Sequence, residues 1–587
     1  MNANVTAIGE DAEDSSTRHL SWSDALATIN KVYEKTPWIA ARLQPRKQTI
    51  NFNTLKYELR RVVREASFEE QVELIKSFKT LATHEVSCLI THDEDMDLSE
   101  ELAKLESLQQ VYEKTFGWPF VIFTKGTRHL GLSLQQCLEV LRSRIHNPLS
   151  IELQETLLQF HRVTEYQLSE RLGTLPQWGY NVWDRCKELS RNSEDTNSLT
   201  VTFLSPAHQA VSSQLKAMFL DAGFDEICID AIGNVVGRYH GSQRERSPYL
   251  LTGSHYDTVR NGGAFDGRIG IVIPMEFVKR LASRGQRLPF GIELVAFSEE
   301  EGVRFPATFL GSSALVGDFQ RDWLNLVDVH GVSLKSALSQ AGLASCFEDI
   351  EALKRDPNCY LGFVEVHIEQ GPVLYKRGLP LGVVTAINGS RRYKLKLLGQ
   401  ASHAGTTPMG ERRDVACAAA EIILFVEMAG NKGINTVATV GVLQVFNGSI
   451  NTVPGQCELT LDIRAPKDED RDALTDTIFA EIGEICKRRQ VSFESNEVLR
   501  VAAAPCDDQL RHLWIETIQD LGLEVFELPS GAGHDAMKIH EILPQAMLFV
   551  RGENNGISHN PLESTDSDDL QLAYEAFESF CLKLSKR

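Results

Sequence analysis

The chain has 587 residues, which at roughly 100–200 residues per domain predicts about three or four domains. It carries 60 Lys and Arg against 80 Asp and Glu, and the net charge of -20 argues against general affinity for nucleic acid or an anionic membrane surface. We find no secretory signal pattern, no apolar run of the ~18 residues that a membrane span needs, and no Cys-x-x-Cys pair among the eleven cysteines. We therefore expect a cytoplasmic protein with reduced thiols and with neither nucleic-acid nor membrane partners.

The N-terminal part of the chain has a helical pattern. Residues 1–20 are polar and are predicted to form a flexible arm. From residue 21 to 174, apolar residues recur at helical spacing, as in Leu55, Leu59 and Val63, and strand signals are few. This pattern predicts an all-α domain that ends at a Gly- and Pro-containing junction.

A different pattern begins at residue 175. Short β-rich runs such as Ile292–Phe297 and Phe363–His367 alternate with helical stretches, which is typical of an α/β domain. We expect this domain to comprise residues 175–385 and 500–587, with another unit inserted between the two parts.

The segment 386–499 is predicted to be that insertion. Tyr393–Leu398 and Cys457–Arg464 alternate apolar and polar residues, as half-buried antiparallel strands do. Arg412–Met428 and Asp468–Lys487 have helical patterns. Together these elements predict a small α+β domain.

Five loops that follow predicted strands each carry His, Asp or Glu beside glycine. They contain His255, Asp257 and Asp266; Glu300 and Glu301; His367 and Gln370; His534; and His559. Imidazole and carboxylate groups are ligands of divalent metals, and glycine permits the tight backbone turns that such sites need. Each loop alone is explained as well by an ordinary polar loop, a solvated acidic turn or a structural histidine. Their combination predicts a metal-dependent hydrolase.

Six motifs, in the order in which they occur, resemble the hydantoinase/N-carbamoyl-amino-acid amidohydrolase family of dinuclear metallopeptidase-like enzymes. They are GSHYDTV–NGGAFDG, FSEEEGVRFP, VHIEQGPVL, ASHAGTTPMGERRD, SGAGHDA and NGISHNPLE, and they span roughly residues 178–587. The resemblance implies a multidomain chain with an α/β metallopeptidase-like catalytic domain and an inserted dimerisation (lid) domain. It also implies that two subunits pair as a homodimer through that insertion.

The resemblance further implies two divalent metal ions in each subunit. His255 and His367 would hold one ion, Glu301 and His559 the other, and Asp266 would bridge them. Family members that act on allantoate imply manganese, whereas zinc, cobalt and nickel suit the same ligands.

Catalytic and substrate-binding roles follow from the same motifs. Glu300 would be the general base, and Asp257 would orient His255. His403, from the insertion, would reach the active site of the partner subunit and stabilise the developing oxyanion. The substrate would be bound by four more residues: Gln370, Asn451, Arg464 and His534. For Arg464, a role as a surface strand residue is the alternative.

The helical N-terminal region resembles 2-oxo-4-hydroxy-4-carboxy-5-ureidoimidazoline (OHCU) decarboxylases over about residues 20–172. The resemblance rests on Tyr33–Ala40, Phe116–Ile122, Arg144–Asn147 and Glu152. The catalytic His of that family falls on Phe78, which cannot transfer a proton, and the spacing of His84 and His92 does not favour them as replacements. We expect a domain without decarboxylase activity, kept for packing, oligomerisation or regulation.

The fusion of the two regions favours allantoate as the substrate. The decarboxylase family makes allantoin, and opening the allantoin ring gives allantoate. This argument for the substrate rests on the association of the two domains in one chain and not on the chemistry of the site. We expect hydrolysis of a ureido C–N bond to ureidoglycine, ammonia and carbon dioxide. A hydrolase of N-carbamoyl-L-amino acids or of ureidopropionate is the alternative enzyme. A non-catalytic binding or scaffold protein is the alternative from another class.

Overall fold

The computed structural model describes residues 19–43, 49–77, 99–122, 134–173, 177–196, 198–243, 247–344, 346–433 and 435–587. The predictions about the arm before residue 19, about Phe78, and about His84 and His92 lie outside these ranges. No helix within them is both long and apolar enough to cross a membrane.

The described N-terminal residues form a helical domain. Its helices are α1 (Trp22–Val32), α2 (Trp38–Arg42), α3 (Phe52–Arg64), α4 (Phe68–Lys76), α5 (Ser99–Phe116), α6 (Leu134–Arg144) and α7 (Leu149–Leu172). Strands β1 (His19–Ser21) and β2 (Thr49–Asn51) add a short antiparallel ribbon. Leu55, Leu59 and Val63, which the helical spacing singled out, are buried in one core. The prediction of a helical domain is thus confirmed.

The second domain is built on one mixed β-sheet. Helices α8 (Gln177–Leu189) and α9 (Pro206–Ala222) precede it. Its first strands are β3 (Glu226–Ile229), β4 (Val235–Tyr239), β5 (Tyr249–His255), β6 (Gly291–Phe297), β7 (Tyr360–Ile368) and β8 (Leu381–Ile387). The helices between these strands are α10 (Ile269–Ser283), α11 (Leu310–Val316), α12 (Leu334–Gln340), α13 (Phe347–Glu351) and α14 (Val373–Arg377).

A separate α+β unit follows β8. Its strands are β9 (Gly389–Leu398), β10 (Ser402–His403), β11 (Val437–Thr439), β12 (Leu443–Val445), β13 (Thr452–Val453), β14 (Gln456–Ala465) and β15 (Ser492–Val501). Its helices are α15 (Val415–Gly430) and α16 (Asp468–Arg488). Five strands form an antiparallel sheet in the order β11-β14-β9-β15, with β12 beside β14. Ile422 of α15 and Ile478 of α16 are buried in a core with residues of this sheet, so the unit has an apolar core of its own.

The chain then returns to the larger sheet. The returning strands are β16 (Ala504–Pro505), β17 (Glu527–Ser530) and β18 (Gln545–Val550), and the helices are α17 (Asp508–Asp520), α18 (Asp535–Ile539) and α19 (Ser567–Leu584). The complete order is β16-β8-β18-β7-β5-β6-β4-β3, with β17 beside β8. Strands β6, β5, β7 and β18 run parallel to one another. Their carboxyl ends therefore lie at one edge of the sheet, where α/β domains bind ligands.

Buried polar contacts join the helical domain to this α/β domain. Arg162 of α7 donates to Asp566 Oδ2 over 2.9 Å and also pairs with Glu553. Arg60 of α3 donates to the carbonyl oxygen of Gly378 over 3.1 Å. Because Arg162 and its two partners are almost removed from water, loss of the cation would leave the buried Glu553 without its cation and Asp566 with the interaction of Arg551 alone.

We expect Arg162→Met to lower the free energy of unfolding by about 3–5 kcal/mol at neutral pH, because it removes that cation. Burial by itself would raise the pKa of Asp566, but Arg162 and Arg551 outweigh this effect and lower the pKa from an ordinary value of 3.8 to about 2. A depressed pKa means that the pairing stabilises the folded chain above about pH 4 and that this contribution is lost as the pH falls toward 2. Urea unfolding of both proteins should show a large difference at neutral pH and a smaller one near pH 3.

Arg191→Met is the matched control, because Arg191 is exposed. It should leave the unfolding curve unchanged at both pH values. Equal stability of the Arg162→Met and parent proteins at neutral pH would contradict the role of this ion pair.

Candidate metal centre and active site

Four parallel strands bring the predicted metal ligands together. His255 is the last residue of β5, His367 lies near the end of β7, and Glu300 and Glu301 lie three and four residues after the end of β6. His559 lies in the loop after β18. Because these strands share one direction, side chains far apart in the sequence meet at the same sheet edge.

Asp266, in the loop before α10, lies at the centre of the cluster. Its Oδ1 is 3.7 Å from Nε2 of His255 and 3.2 Å from Nε2 of His367. Its Oδ2 is 3.2 Å from Nε2 of His559, which is itself 3.5 Å from Oε1 of Glu301. Of the four groups whose ligand atoms lie within 4.8 Å of one another, two contain Asp266: His255–Asp266–His367 and Asp266–Glu301–His559. The two groups share one carboxylate.

The chemistry of these residues fits divalent metal ions. Imidazole nitrogen and carboxylate oxygen are ligands of manganese, zinc, cobalt and nickel. Asp266 is 3% exposed, and its Oδ1 has no hydrogen-bond partner among the described residues. Burial of such an oxygen costs free energy, which a bound cation would offset.

Unusual backbone conformations surround the cluster. Gly267 has a φ of +70°, and a Cβ there would lie 2.4 Å from the carbonyl oxygen of His255 and 2.6 Å from its ring. Only glycine therefore allows the Asp266 loop to approach His255 so closely. Gln370 and His559 have φ values of 55° and 54°, which are rare for residues with side chains. Such conformations concentrate at functional sites.

Asp257 connects His255 to the acidic loop after β6. Its Oδ1 is 3.4 Å from Nδ1 of His255. Its two carboxylate oxygens accept the backbone N–H groups of Glu300 and Glu301, each over 3.2 Å. The backbone carbonyl oxygen of Asp257 is nearer still, 3.2 Å from Nδ1 of His255, so this residue suits a positioning role through both its carbonyl and its carboxylate.

Glu300 is buried beside the metal ligands but belongs to neither of the two ligand groups that share Asp266. Burial raises its pKa well above the ordinary value, and repulsion by Glu301 adds to the increase. Burial, together with Asp266, raises the pKa of Glu301 to about 7. Divalent cations favour ionised carboxylates, so metal binding would oppose both increases. A carboxyl group in this position can exchange a proton with a water molecule at the centre.

Two predicted substrate residues lie against the cluster. The ring of His534 is 4.4 Å from that of His367, and its Nε2 is 2.8 Å from Oγ of Ser530. Burial lowers the pKa of His534 well below its ordinary value, and His367 lowers it further, so this ring is neutral. Gln370 donates through Nε2 to Asp266 Oδ2 over 3.0 Å.

The insertion reaches the same region through Arg464 of β14. Its guanidinium is held by Asp462, with Nε 2.9 Å from Oδ1, and donates over 2.7 Å to the carbonyl oxygen of Gly531. Gly531 belongs to the loop that carries His534. Arg464 is therefore not an isolated surface residue, because it lies where the insertion meets the domain that carries the ligand cluster.

His403 and Asn451 are neighbours of each other in the insertion. The carbonyl oxygen of Asn451 accepts the N–H of Ala404 over 2.8 Å. His403 is exposed, and its Nδ1 accepts the N–H of Gly405 over 3.0 Å. In the part of the chain that the structure describes, no hydrogen bond or ion pair joins either residue to the metal-ligand cluster.

Sequence reasoning missed three polar residues of the site. Glu563 Oε1 accepts the backbone N–H of Asp266 over 3.0 Å, and its Oε2 is 2.6 Å from the hydroxyl of Ser558. Ser558 Oγ is also 3.3 Å from Asp266 Oδ2. Glu365 belongs to a group of possible ligands with His367 and His534. Two features of the sequence could have indicated these residues: Glu563 is the Glu of the NGISHNPLE motif, and Glu365 is an acidic residue within the apolar strand β7.

Comparison with known proteins agrees with this geometry. Residues 251–583 match peptidase family M20/M25/M40, and residues 18–169 match OHCU decarboxylase. The N-carbamoyl-L-amino acid amidohydrolase of Geobacillus stearothermophilus is 36% identical over 397 residues, which are 68% of this chain and 96% of that relative. Allantoate deiminase 1 of Glycine max is 39% identical over 430 residues, which are 68% of this chain and 88% of the relative.

A solved structure shows the same relationship. The crystal structure of an amidase of the hydantoinase/carbamoylase family from Burkholderia multivorans aligns with a TM-score of 0.64 at 27% identity. The alignment covers 70% of this chain and 98% of that one. Both family resemblances inferred from the motifs are thereby confirmed. The chain belongs to peptidase family M20/M25/M40 and carries, N-terminal to its hydrolase part, a domain of the OHCU decarboxylase type.

Proposed function

We propose that this protein is a metal-dependent amidohydrolase that cleaves a ureido C–N bond of allantoate, giving ureidoglycine, ammonia and carbon dioxide. The observation that carries the proposal is the position of the Glu300 carboxyl group beside two sets of metal ligands that share Asp266. Similarity to allantoate deiminase 1 and to N-carbamoyl-L-amino acid amidohydrolase supports the reaction class.

The residues of the cluster have three different roles: metal binding, proton transfer and orientation of a ligand. We propose that two divalent manganese ions would lower the pKa of a water molecule and polarise the ureido carbonyl. Their ligands would be His255, His367, Glu301, His559 and the shared Asp266. Glu300 accepts the proton of the attacking water and delivers it to the leaving nitrogen. Asp257 keeps His255 in the orientation that binding requires.

Other residues position the substrate. Neutral His534 and Gln370 lie against the ligand cluster. From there they would contact the ureido group. Arg464 reaches the His534 loop from the insertion, and its planar guanidinium suits the substrate carboxylate. Asn451 is assigned to the same carboxylate by its motif and, like His403, acts from the partner subunit.

Substrate choice within this reaction class is tested by ammonia release. The manganese-reconstituted protein should release ammonia faster from allantoate than from N-carbamoyl-β-alanine or a set of N-carbamoyl-L-amino acids. The OHCU decarboxylase match of residues 18–169 supports allantoate by association. Preference for a carbamoyl amino acid would leave the reaction class intact and refute allantoate. No release from any compound would favour a non-catalytic binding protein.

We also propose that two chains pair through the insertion. Leu424 and Met428 lie one turn apart on α15 and are 65% and 44% exposed, and Val437 of the edge strand β11 is 49% exposed. Clustered exposed apolar side chains mark interaction surfaces. Pairing explains why His403 lies apart from the ligand cluster of its own chain.

Mixed dimers test whether His403 acts in the partner's active site. Alone, His403→Ala and Glu300→Gln should each lose activity, the former by about 10²–10³-fold through loss of an oxyanion donor. A dimer with one chain of each kind contains one site with both residues intact, so its activity should be about half that of the parent dimer. Two affinity tags allow its isolation, and ammonia release measures it.

The pairing surface has its own control. Leu424→Glu should give monomers in sedimentation velocity, whereas Leu220→Glu, at a 71% exposed position on α9, should not. Mixed dimers no more active than the single variants would refute the role of His403 across the dimer.

A further inference from the structure

A cavity of about 920 Å³ lies between the helical domain and the catalytic domain. Its walls include residues of α3 and α7 from the first domain and of α14 and the loop after β18 from the second. Neither domain encloses it alone. Its volume lies within the ~300–1,000 Å³ that is usual for small-molecule sites.

The lining of this interdomain cavity carries more cationic than anionic side chains, although Arg60, Arg61 and Arg144 are paired with glutamates outside the lining. It includes one carboxylate, Glu155, and six cationic side chains: Arg60, Arg61, Arg64, Arg144, Lys376 and Arg377. Arg64 and Lys376, one from each domain, are exposed and form no ion pair within the described part of the chain. These two charges are therefore available to an anion in the cavity.

Two residues that line the same cavity, Gln370 and Tyr375, carry buried polar atoms without hydrogen-bond partners. Tyr375 is 8% exposed, and its hydroxyl has no hydrogen-bond partner; Gln370 Oε1 is likewise buried without a donor. His161 is 7% exposed, and neither of its ring nitrogens is hydrogen-bonded to a described residue. Burial, with Arg60, lowers the pKa of His161 to about 3, so the ring is neutral. Such groups are costly unless a ligand supplies complementary donors and acceptors.

The cavity also contacts the metal-ligand cluster. Gln370 lines the cavity with Oε1 unsatisfied, and its Nε2 donates to Asp266. Ser558, another lining residue, is 3.3 Å from the same carboxylate. A ligand that engages Gln370 would therefore touch a side chain that is hydrogen-bonded to the central ligand of the metal site.

We propose that the interdomain cavity is a second binding site, for a small organic carboxylate that also carries amide-like N–H and C=O groups. The carboxylate lies between Arg64 and Lys376. The N–H group is accepted by Gln370, and the carbonyl oxygen accepts from Tyr375. The decarboxylase-like domain then has a role, as one wall of this site, that needs no decarboxylation.

Hydantoin-5-acetate is a suitable probe, because it combines a carboxylate with ring N–H and C=O groups and has no open ureido chain to hydrolyse. Isothermal titration of the full-length, metal-loaded protein should show binding. The double variant R64E/K376E should weaken it at least about tenfold by reversing both charges. K114E/K216E makes the same change at two exposed lysines outside the cavity, again one per domain, and should leave the affinity unchanged.

Tyr375→Phe distinguishes a loss of probe binding from a loss of folding stability, because the two should change in opposite directions. Removal of a buried, unsatisfied hydroxyl should raise the unfolding temperature of the ligand-free protein while weakening probe binding about threefold or more. Binding should also persist after the metal is removed with a chelator, because the cavity residues are not metal ligands. Absence of binding, equal loss in K114E/K216E, or loss on metal removal would each overturn the proposal.

Discussion

Glu300→Gln is expected to lower kcat for ureido hydrolysis by about 10²–10⁴-fold without changing metal content. Glutamine has the size of glutamate but cannot accept the proton of the attacking water. Glu300 lies outside both ligand groups that share Asp266, so the ions keep their ligands. It is also within 4.8 Å of ligand atoms of His255 and Glu301, which places it beside any water at the centre. Ammonia release and elemental analysis should be measured on the same preparation.

Glu351→Gln provides the matched control, because Glu351 is an exposed glutamate at the end of α13. It should retain both metal content and turnover. Normal kcat in Glu300→Gln would refute the general-base assignment, and loss of metal together with turnover would make Glu300 a ligand instead.

Asp266→Asn is expected to remove both metal binding and turnover. The carboxylate oxygens of Asp266 lie 3.2 Å from Nε2 of His367 and 3.2 Å from Nε2 of His559, one oxygen toward each group. An asparagine has one neutral oxygen and an N–H₂ donor, so it cannot present an anionic oxygen to both sides. We expect metal content to fall from about two ions per chain to fewer than about one, and turnover to fall by more than about 10³-fold.

Thermal unfolding distinguishes this outcome from misfolding. A metal that binds only the folded chain stabilises it, so a chelator should lower the unfolding temperature of the parent protein. It should have little effect on Asp266→Asn, and the variant should unfold near the temperature of the chelated parent. Asp322→Asn, at an exposed position, is the control and should behave like the parent. Retention of two ions by Asp266→Asn would refute the shared-ligand assignment.

The two variants together separate the roles within the cluster. Loss of turnover with metal retained belongs to a proton-transfer residue, whereas loss of both belongs to a ligand. Asp257→Asn should have a metal content and a turnover between those of the two variants, because Asp257 contacts His255 without being one of the predicted ligands.

Local sequence determined much of what the structure contains. Helical spacing identified the N-terminal domain, since the apolar face of a helix repeats with the helix itself, and Leu55, Leu59 and Val63 are indeed buried. Strand patterns placed His255 and His367 at the ends of strands. Glycine beside Asp266 indicated a tight turn, and Gly267 has the positive φ that requires it.

Tertiary structure alone decided which of these residues meet. Glu563 accepts the backbone N–H of Asp266, although 297 residues separate the two in the chain. The pairing of Arg162 with Asp566 and the cavity that joins Arg64 to Lys376 likewise arise only where two domains pack. Periodicity and motif spacing act over a few residues, whereas these contacts depend on the order of the strands and on the docking of separate cores. The sequence by itself therefore determined the elements and the chemistry at their ends, and the fold decided their partners.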